Sequence, residues 1–198
     1  MMTRTGLKVL DVSFNDVNGG SFFIIAARDD SPHQPQAAKI QAILDAERPL
    51  EGDAPFTRLR HRIEAHRDEV RHFLALARAA GKRVYGYGAS TKGNIVLNYC
   101  GITDQDLLAI GDRNPEKDGL TMPGTRIPII SHPALRELKP DYLFVLIWHF
   151  RKEVIRYEVE YLKAGGKMIF DLPRLHVVDA SNYERYLNTP FEDMAYSL

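Results

Sequence analysis

The sequence predicts an α/β chain in which a β-hairpin and a long helix precede a doubly wound, mainly parallel sheet. Three observations lead there. Residues 84–100 run from an apolar strand through a glycine loop into a helical pattern, and strand and helix signals then alternate to about residue 171. Residues 142–148 form an unbroken apolar run, which suits the middle of a sheet covered on both faces.

The elements follow in order. Leu7 to Phe14 and Phe22 to Ala27 flank Asn15-Asp16-Val17-Asn18-Gly19-Gly20, whose residues favour the positive φ of a tight turn, so a hairpin is expected over 1–28. An isolated hairpin exposes strand edges, which predicts pairing with a second copy or with a separate subunit. Residues 29–55 turn to Pro, Gln, Ala and charge and read as a linker with a short helix around Ala37 to Ala46. From Phe56 to Ala80, Leu59, Ile63, Val70, Phe73, Leu74 and Ala77 recur close to helical spacing, and Gly81 stands where the helix should stop. His61, His66 and His72 on this helix are five and six apart, not the three or four that would set imidazoles side by side, so no metal site is expected.

Further strands are expected at Leu107 to Asp112, Arg126 to Ile130, Tyr142 to Trp148 and Lys167 to Asp171. Helices are expected over Pro133 to Leu138, capped by Ser131, and over Arg151 to Lys163, stopped by Gly165 and Gly166. A polar, tyrosine-containing tail closes the chain. The folded domain on this reading spans 56–198.

Composition excludes several classes. The 26 basic and 26 acidic residues cancel, without the basic excess of a nucleic-acid binder. The longest apolar run is too short to cross a bilayer. The chain starts without the apolar core of a secretion signal, and Cys100 is alone, so the cytoplasm is the expected compartment.

The chemistry concentrates in the glycine loop. Gly86, Gly88 and Gly93 let backbone approach a ligand, and a helix start offers amide donors with partial positive charge. Lys92 adds a full charge, and Ser90 and Thr91 add hydroxyls, which suits a diphosphate. The alternative is a turn built for packing alone. Two nucleotide templates fail here. Counted from Gly86, the sixth position of a dinucleotide fingerprint is Thr91, with the third glycine two residues late; a Walker A loop wants its lysine after the last glycine, whereas Gly93 is followed by Asn94.

Asp112, at the end of its strand, either accepts ribose or sugar hydroxyls or caps the Asn114-Pro115 turn. Arg113 and Lys117 are nearby charges able to meet phosphate or to lie in solvent. His149 either contacts the ligand from the end of its strand, the favoured reading, or caps the helix that follows; Trp148 is expected to pack in the core rather than stack on a base.

Several segments together carry a resemblance: Gly88-Ala89-Ser90-Thr91-Lys92-Gly93-Asn94 with Asn98-Tyr99-Cys100-Gly101-Ile102, Asp112-Arg113-Asn114-Pro115-Glu116-Lys117, Pro123-Gly124-Thr125, Ile127-Pro128-Ile129, Trp148-His149-Phe150 and Gly165-Gly166-Lys167. In order and spacing they resemble the C-terminal, Rossmann-like domain of sugar C-methyltransferases. The resemblance implies enzymes that use S-adenosylmethionine to methylate a carbon of a nucleotide-activated keto-deoxysugar, with a zinc domain, a methyltransferase domain and this domain joined. Gly6-Leu7-Lys8-Val9-Leu10-Asp11-Val12 and Asn18-Gly19-Gly20-Ser21-Phe22 look like the final hairpin of the methyltransferase domain. The family's donor pocket and its Glu-His-bearing motif lie upstream of that hairpin, and no cysteine cluster for zinc is present.

The expectation is therefore a nucleotide-diphospho-sugar binder. Gly88, Ser90, Thr91, Lys92, Gly93 and Asn94 would hold the diphosphate, and Asp112, Asn114 and His149 would contact sugar or nucleoside. No cofactor is expected on this chain alone, and methyl transfer would need a separate methyltransferase part. An NAD(P)-dependent oxidoreductase and a nucleotide-sensing regulatory module are the alternatives.

Overall fold

The computed structural model describes residues 2–15, 17 and 20–190. The expected turn residues Asp16, Asn18 and Gly19, and the end of the tail from 191 to 198, lie outside the described residues. The chain divides into two compact units, Met1–Arg62 and Ile63–Leu198.

In the first unit, β1 (Leu7–Asn15) and β2 (Ser21–Arg28) form an antiparallel pair with a register shift between Val9 and Asp11. Helix α1 (Ala37–Glu47) joins it through Gln36 N–H to Leu10 O (2.8 Å) and the Lys39–Asp11 ion pair (2.7 Å). Phe22, Phe23, Ile24 and Ile25 of β2 are all exposed. Helix α2 (Ala54–Ala79) begins in this unit and ends in the next. Only Val70, Leu74 and Ala77 of its stripe are buried; Leu59 and Ile63 of the same stripe are exposed.

The second unit carries a six-stranded sheet of β3 (Val84–Tyr87), β4 (Ile110–Asp112), β5 (Ile129–Ser131), β6 (Tyr142–Val145), β7 (Lys167–Phe170) and β8 (His176–Val178), in the order β5-β4-β3-β6-β7-β8. The first five are parallel and β8 runs antiparallel to β7. This is the doubly wound order, whose direction reverses between β3 and β6.

Alternation along the central strands builds two cores. Phe144 and Leu146 face one side with Val70, Leu74 and Leu97, whereas Leu143 and Val145 face the other with Tyr85, Tyr87, Leu135 and Leu162. Burying a side chain the size of Phe144 contributes about 2–3 kcal/mol. The helices of the second unit that follow α2 are α3 (Thr91–Cys100), α4 (His132–Glu137), α5 (Arg151–Tyr157), α6 (Val159–Lys163) and α7 (Tyr183–Asn188). Ser131 caps α4, accepting from Ala134 N–H.

Several boundaries depart from the sequence reading. The strand expected from Leu107 pairs as β4 only from Ile110, although Leu108 N–H already reaches Val84 O. β5 starts late because Arg126 adopts φ 59°, which no strand accommodates. β6 ends at Val145, and Trp148–Phe150 form a 3-10 turn. The helix expected over Arg151 to Lys163 breaks at Glu158, whose buried carboxylate is drawn inward to three partners. In the tail, β8 and α7 are ordered: His176 stacks on Phe170 (5.3 Å) and Tyr186 (4.7 Å).

Candidate functional site

β3 forms because Val84, Tyr85 and Tyr87 suit a strand buried on both faces, and it delivers the glycine loop to the point where the strand order reverses. Gly88 has φ +84°, and a Cβ there would meet the Ile147 side chain at 2.8 Å. Gly93, in the first turn of α3, lies so close to the end of β6 that a Cβ would fall 2.5 Å from Leu146 Cβ and 3.0 Å from Leu146 O. Ser90 secures this contact. Its Oγ accepts from Gly93 N–H (2.9 Å) as the N-cap of α3 and donates to Leu146 O (3.0 Å).

Asp112 fixes the loop from the other side. One carboxylate oxygen accepts from Ala89 N–H (2.7 Å) and Lys117 Nζ (3.3 Å), and the other from Asn114 N–H (2.8 Å). Lys117 also donates to Ala89 O (2.8 Å), so both polar groups of Ala89 are clamped. Asn114 caps the 3-10 turn Pro115–Lys117 through its side-chain oxygen, which accepts from Glu116 N–H (3.0 Å).

The candidate residues thus separate by what they already bond. The amides of Gly88, Ala89, Ser90, Gly93 and Asn94 all donate inside the fold. The Ser90 hydroxyl, the Asp112 carboxylate and the Asn114 side-chain oxygen are engaged as caps and clamps. Thr91 is exposed at the helix start, and the Lys92 ammonium sits 5.5 Å from the centre of the Trp148 ring. His149 packs edge-on against Trp148 (5.2 Å), and burial, then the charge of Lys92, hold its imidazole below the usual histidine range. Its Nδ1 is buried with no hydrogen-bond partner among the described residues. Thr91, Lys92, Trp148 and His149 therefore belong to one corner, at the carboxyl ends of β3 and β6.

Sequence reasoning missed the clamp of Asp112 and Lys117 on Ala89. The signal was an acid at a strand end five residues before a lysine, and it reads equally well as two ligand contacts.

Residues 16–173 match the family described as C-methyltransferase C-terminal domain. The chain belongs to that family. It is also similar to the C-methyltransferase NovU of Streptomyces niveus, 35% identical over 180 residues that cover 89% of this chain and 42% of that protein. This C-methyltransferase C-terminal domain thus spans well under half the length of the curated relative it matches.

The complete family enzymes imply S-adenosylmethionine, and the residues around this loop do not fit it. Asp112, placed where a fold of this type would grip ribose hydroxyls, already holds three donors, and Lys92 and Lys117 set positive charge beside any sulfonium cation. Cys100 offers no nucleophile, because burial pushes its thiol up to about 11. Among the described residues no group of three or more His, Cys, Asp or Glu is placed to hold a metal, and no helix is long and apolar enough to cross a membrane.

Proposed function

We propose that this domain binds a nucleotide-diphospho-sugar for a C-methyltransferase, gripping the diphosphate at the start of α3. The observation that carries the reading is the Lys92 ammonium beside Trp148 and His149 at the strand-order reversal, with the Thr91 hydroxyl and the partial positive charge of the helix start adjoining. The internal bonds of Ser90, Asp112 and Asn114 give them the task of shaping the loop, and the ligand contacts are assigned to Thr91, Lys92 and His149 from their place at the strand-order reversal. Methyl transfer is assigned to a donor-binding part outside this domain. The exposed Phe22-Phe23-Ile24-Ile25 run on β2 is the surface offered to that part, since four contiguous large apolar residues exceed what an isolated surface strand normally leaves uncovered.

Calorimetric titration with a thymidine-diphospho-sugar, NADH and S-adenosylmethionine tests the reading, with heat expected only from the first. Lys92→Ala should weaken that binding about tenfold, the scale of one charge-assisted phosphate contact. Its melting temperature should hardly move. Tight NADH binding without a response to the nucleotide-sugar would replace the proposal with an oxidoreductase.

A further inference from the structure

At the opposite end of the sheet, by the amino ends of β6 and β7, a cavity of about 560 Å3 opens between α4 and α6. That volume falls within the range of small-molecule sites, and its walls include Leu135, Pro140, Leu143 and Ala164. Its polar groups decide what it would hold.

Both acids on the wall are consumed internally. Glu158, only 1% exposed, accepts from His132 Nε2 (2.9 Å), Arg136 (2.9 Å) and the Tyr87 hydroxyl (3.1 Å). Asp141 accepts from Lys82 Nζ (3.3 Å) and Arg83 N–H (2.9 Å), and its carboxyl lies below the usual carboxylate range chiefly because of that amide. The Tyr161 hydroxyl is spent on Pro140 O and the Lys167 backbone.

The cations are not consumed. Arg136 commits one nitrogen to Glu158 and lays its guanidinium over the Tyr157 ring (5.2 Å), yet half its side chain is exposed and donors remain to spare. Lys139 is exposed at the rim and makes no ion pair among the described residues. The cavity thus offers unspent donors and positive charge above an apolar wall, and no unspent carboxylate.

We propose that this cavity is a second ligand site, separate from the glycine loop, for a small organic anion: a carboxylate or phosphate head met by Arg136 and Lys139, with an apolar body against Leu135, Leu143 and Ala164. His132 and Glu158 hold the Arg136 guanidinium in place and do not themselves meet the ligand. The same Glu158 bonds the cavity floor to Tyr87, one residue before Gly88.

Nuclear magnetic resonance titrations of the whole chain with benzoate, phenyl phosphate and benzyl alcohol test the site. At least one of the two anions should shift the amides of Lys139, Gly165 and Gly166 saturably by about 20 mM, and the alcohol should not. The stronger anion identifies the head group. Lys139→Asn removes the charge at a position with φ 46° that asparagine tolerates, so the fold is kept, and it should weaken binding about fivefold. Absence of saturable shifts from either anion, equal shifts from the alcohol, or unchanged affinity in Lys139→Asn would overturn the proposal.

Discussion

Asp171 closes β7 with its side chain 99% removed from water, and neither carboxylate oxygen has a hydrogen-bond partner among the described residues. Burial raises its carboxyl from 3.8 to about 7, while the adjoining amides of Asp171 and Leu172, near the carboxylate but outside hydrogen-bond geometry, pull the other way. Raising a carboxyl from 3.8 to about 7 corresponds to about 4 kcal/mol. Between these two values the folded chain binds more protons than the unfolded one, so this group's contribution to stability falls as pH rises from about 4 to 7. His176 acts in the opposite sense. Burial between Phe170 and Tyr186 lowers its imidazole from 6.5 to about 4, so across that interval the unfolded chain binds more protons and stability rises with pH, by about 3 kcal/mol at most. The two slopes nearly cancel between pH 4 and 6.5. Asp171→Asn removes one of them: relative to the parent the variant should gain stability progressively from pH 4 to 8, by several kcal/mol across that interval, with a pH-independent cost of about 1–3 kcal/mol for an unsatisfied buried amide applying throughout. His176→Phe, which keeps an aromatic ring in the stack, should show the reverse trend below pH 6.5. Urea unfolding followed by circular dichroism at pH 4, 5, 6, 7 and 8 measures both. A stability difference between Asp171→Asn and the parent that is the same at pH 4 and pH 8 would refute the reasoning.

Two predictions concern the loop. Gly93→Ala should destabilise the chain by about 1–3 kcal/mol, because the new methyl meets a backbone oxygen that cannot yield; an unchanged urea midpoint would show that α3 is free to slide from β6. Asp112→Ala strands the amides of Ala89 and Asn114 and leaves Lys117 without its acid, so a loss of about 2–4 kcal/mol and faster hydrogen exchange at Ala89 are expected, with unaltered exchange as the contrary outcome.

Much of the fold was legible because the central strands β3 and β6 are apolar and buried, as suits strands covered on both faces, and because Ser131 caps its helix in the ordinary way. What escaped depended on distant partners. The break at Glu158 follows from His132, Arg136 and Tyr87, of which Tyr87 is 71 residues away. β8 is three residues long and exists because β7 presents an edge to it. In the candidate site the residue types were readable, but their present partners were not. Ser90, Asp112 and Asn114 carry the same atoms whether they bond ligand or backbone, and only the Leu146, Ala89 and Glu116 positions decide between the two.

That division also accounts for the loop's departure from the dinucleotide fingerprint. In that fingerprint the third glycine allows the helix to pack closely on the strand. Here Gly93 does that work two residues later, against Leu146 rather than within its own strand pair, and the later contact carries Thr91 and Lys92 into the first turn of α3. The displacement leaves most of the loop amides engaged by Asp112, Ser90 and the loop itself, and sets the Lys92 side chain and the Thr91 hydroxyl at the helix start. Recognition through a side-chain charge tolerates variation in the bound phosphate's position better than recognition through fixed amides, because a lysine is a flexible point charge. On the proposed diphosphate reading, salt should therefore weaken binding at this corner more than a backbone nest would allow.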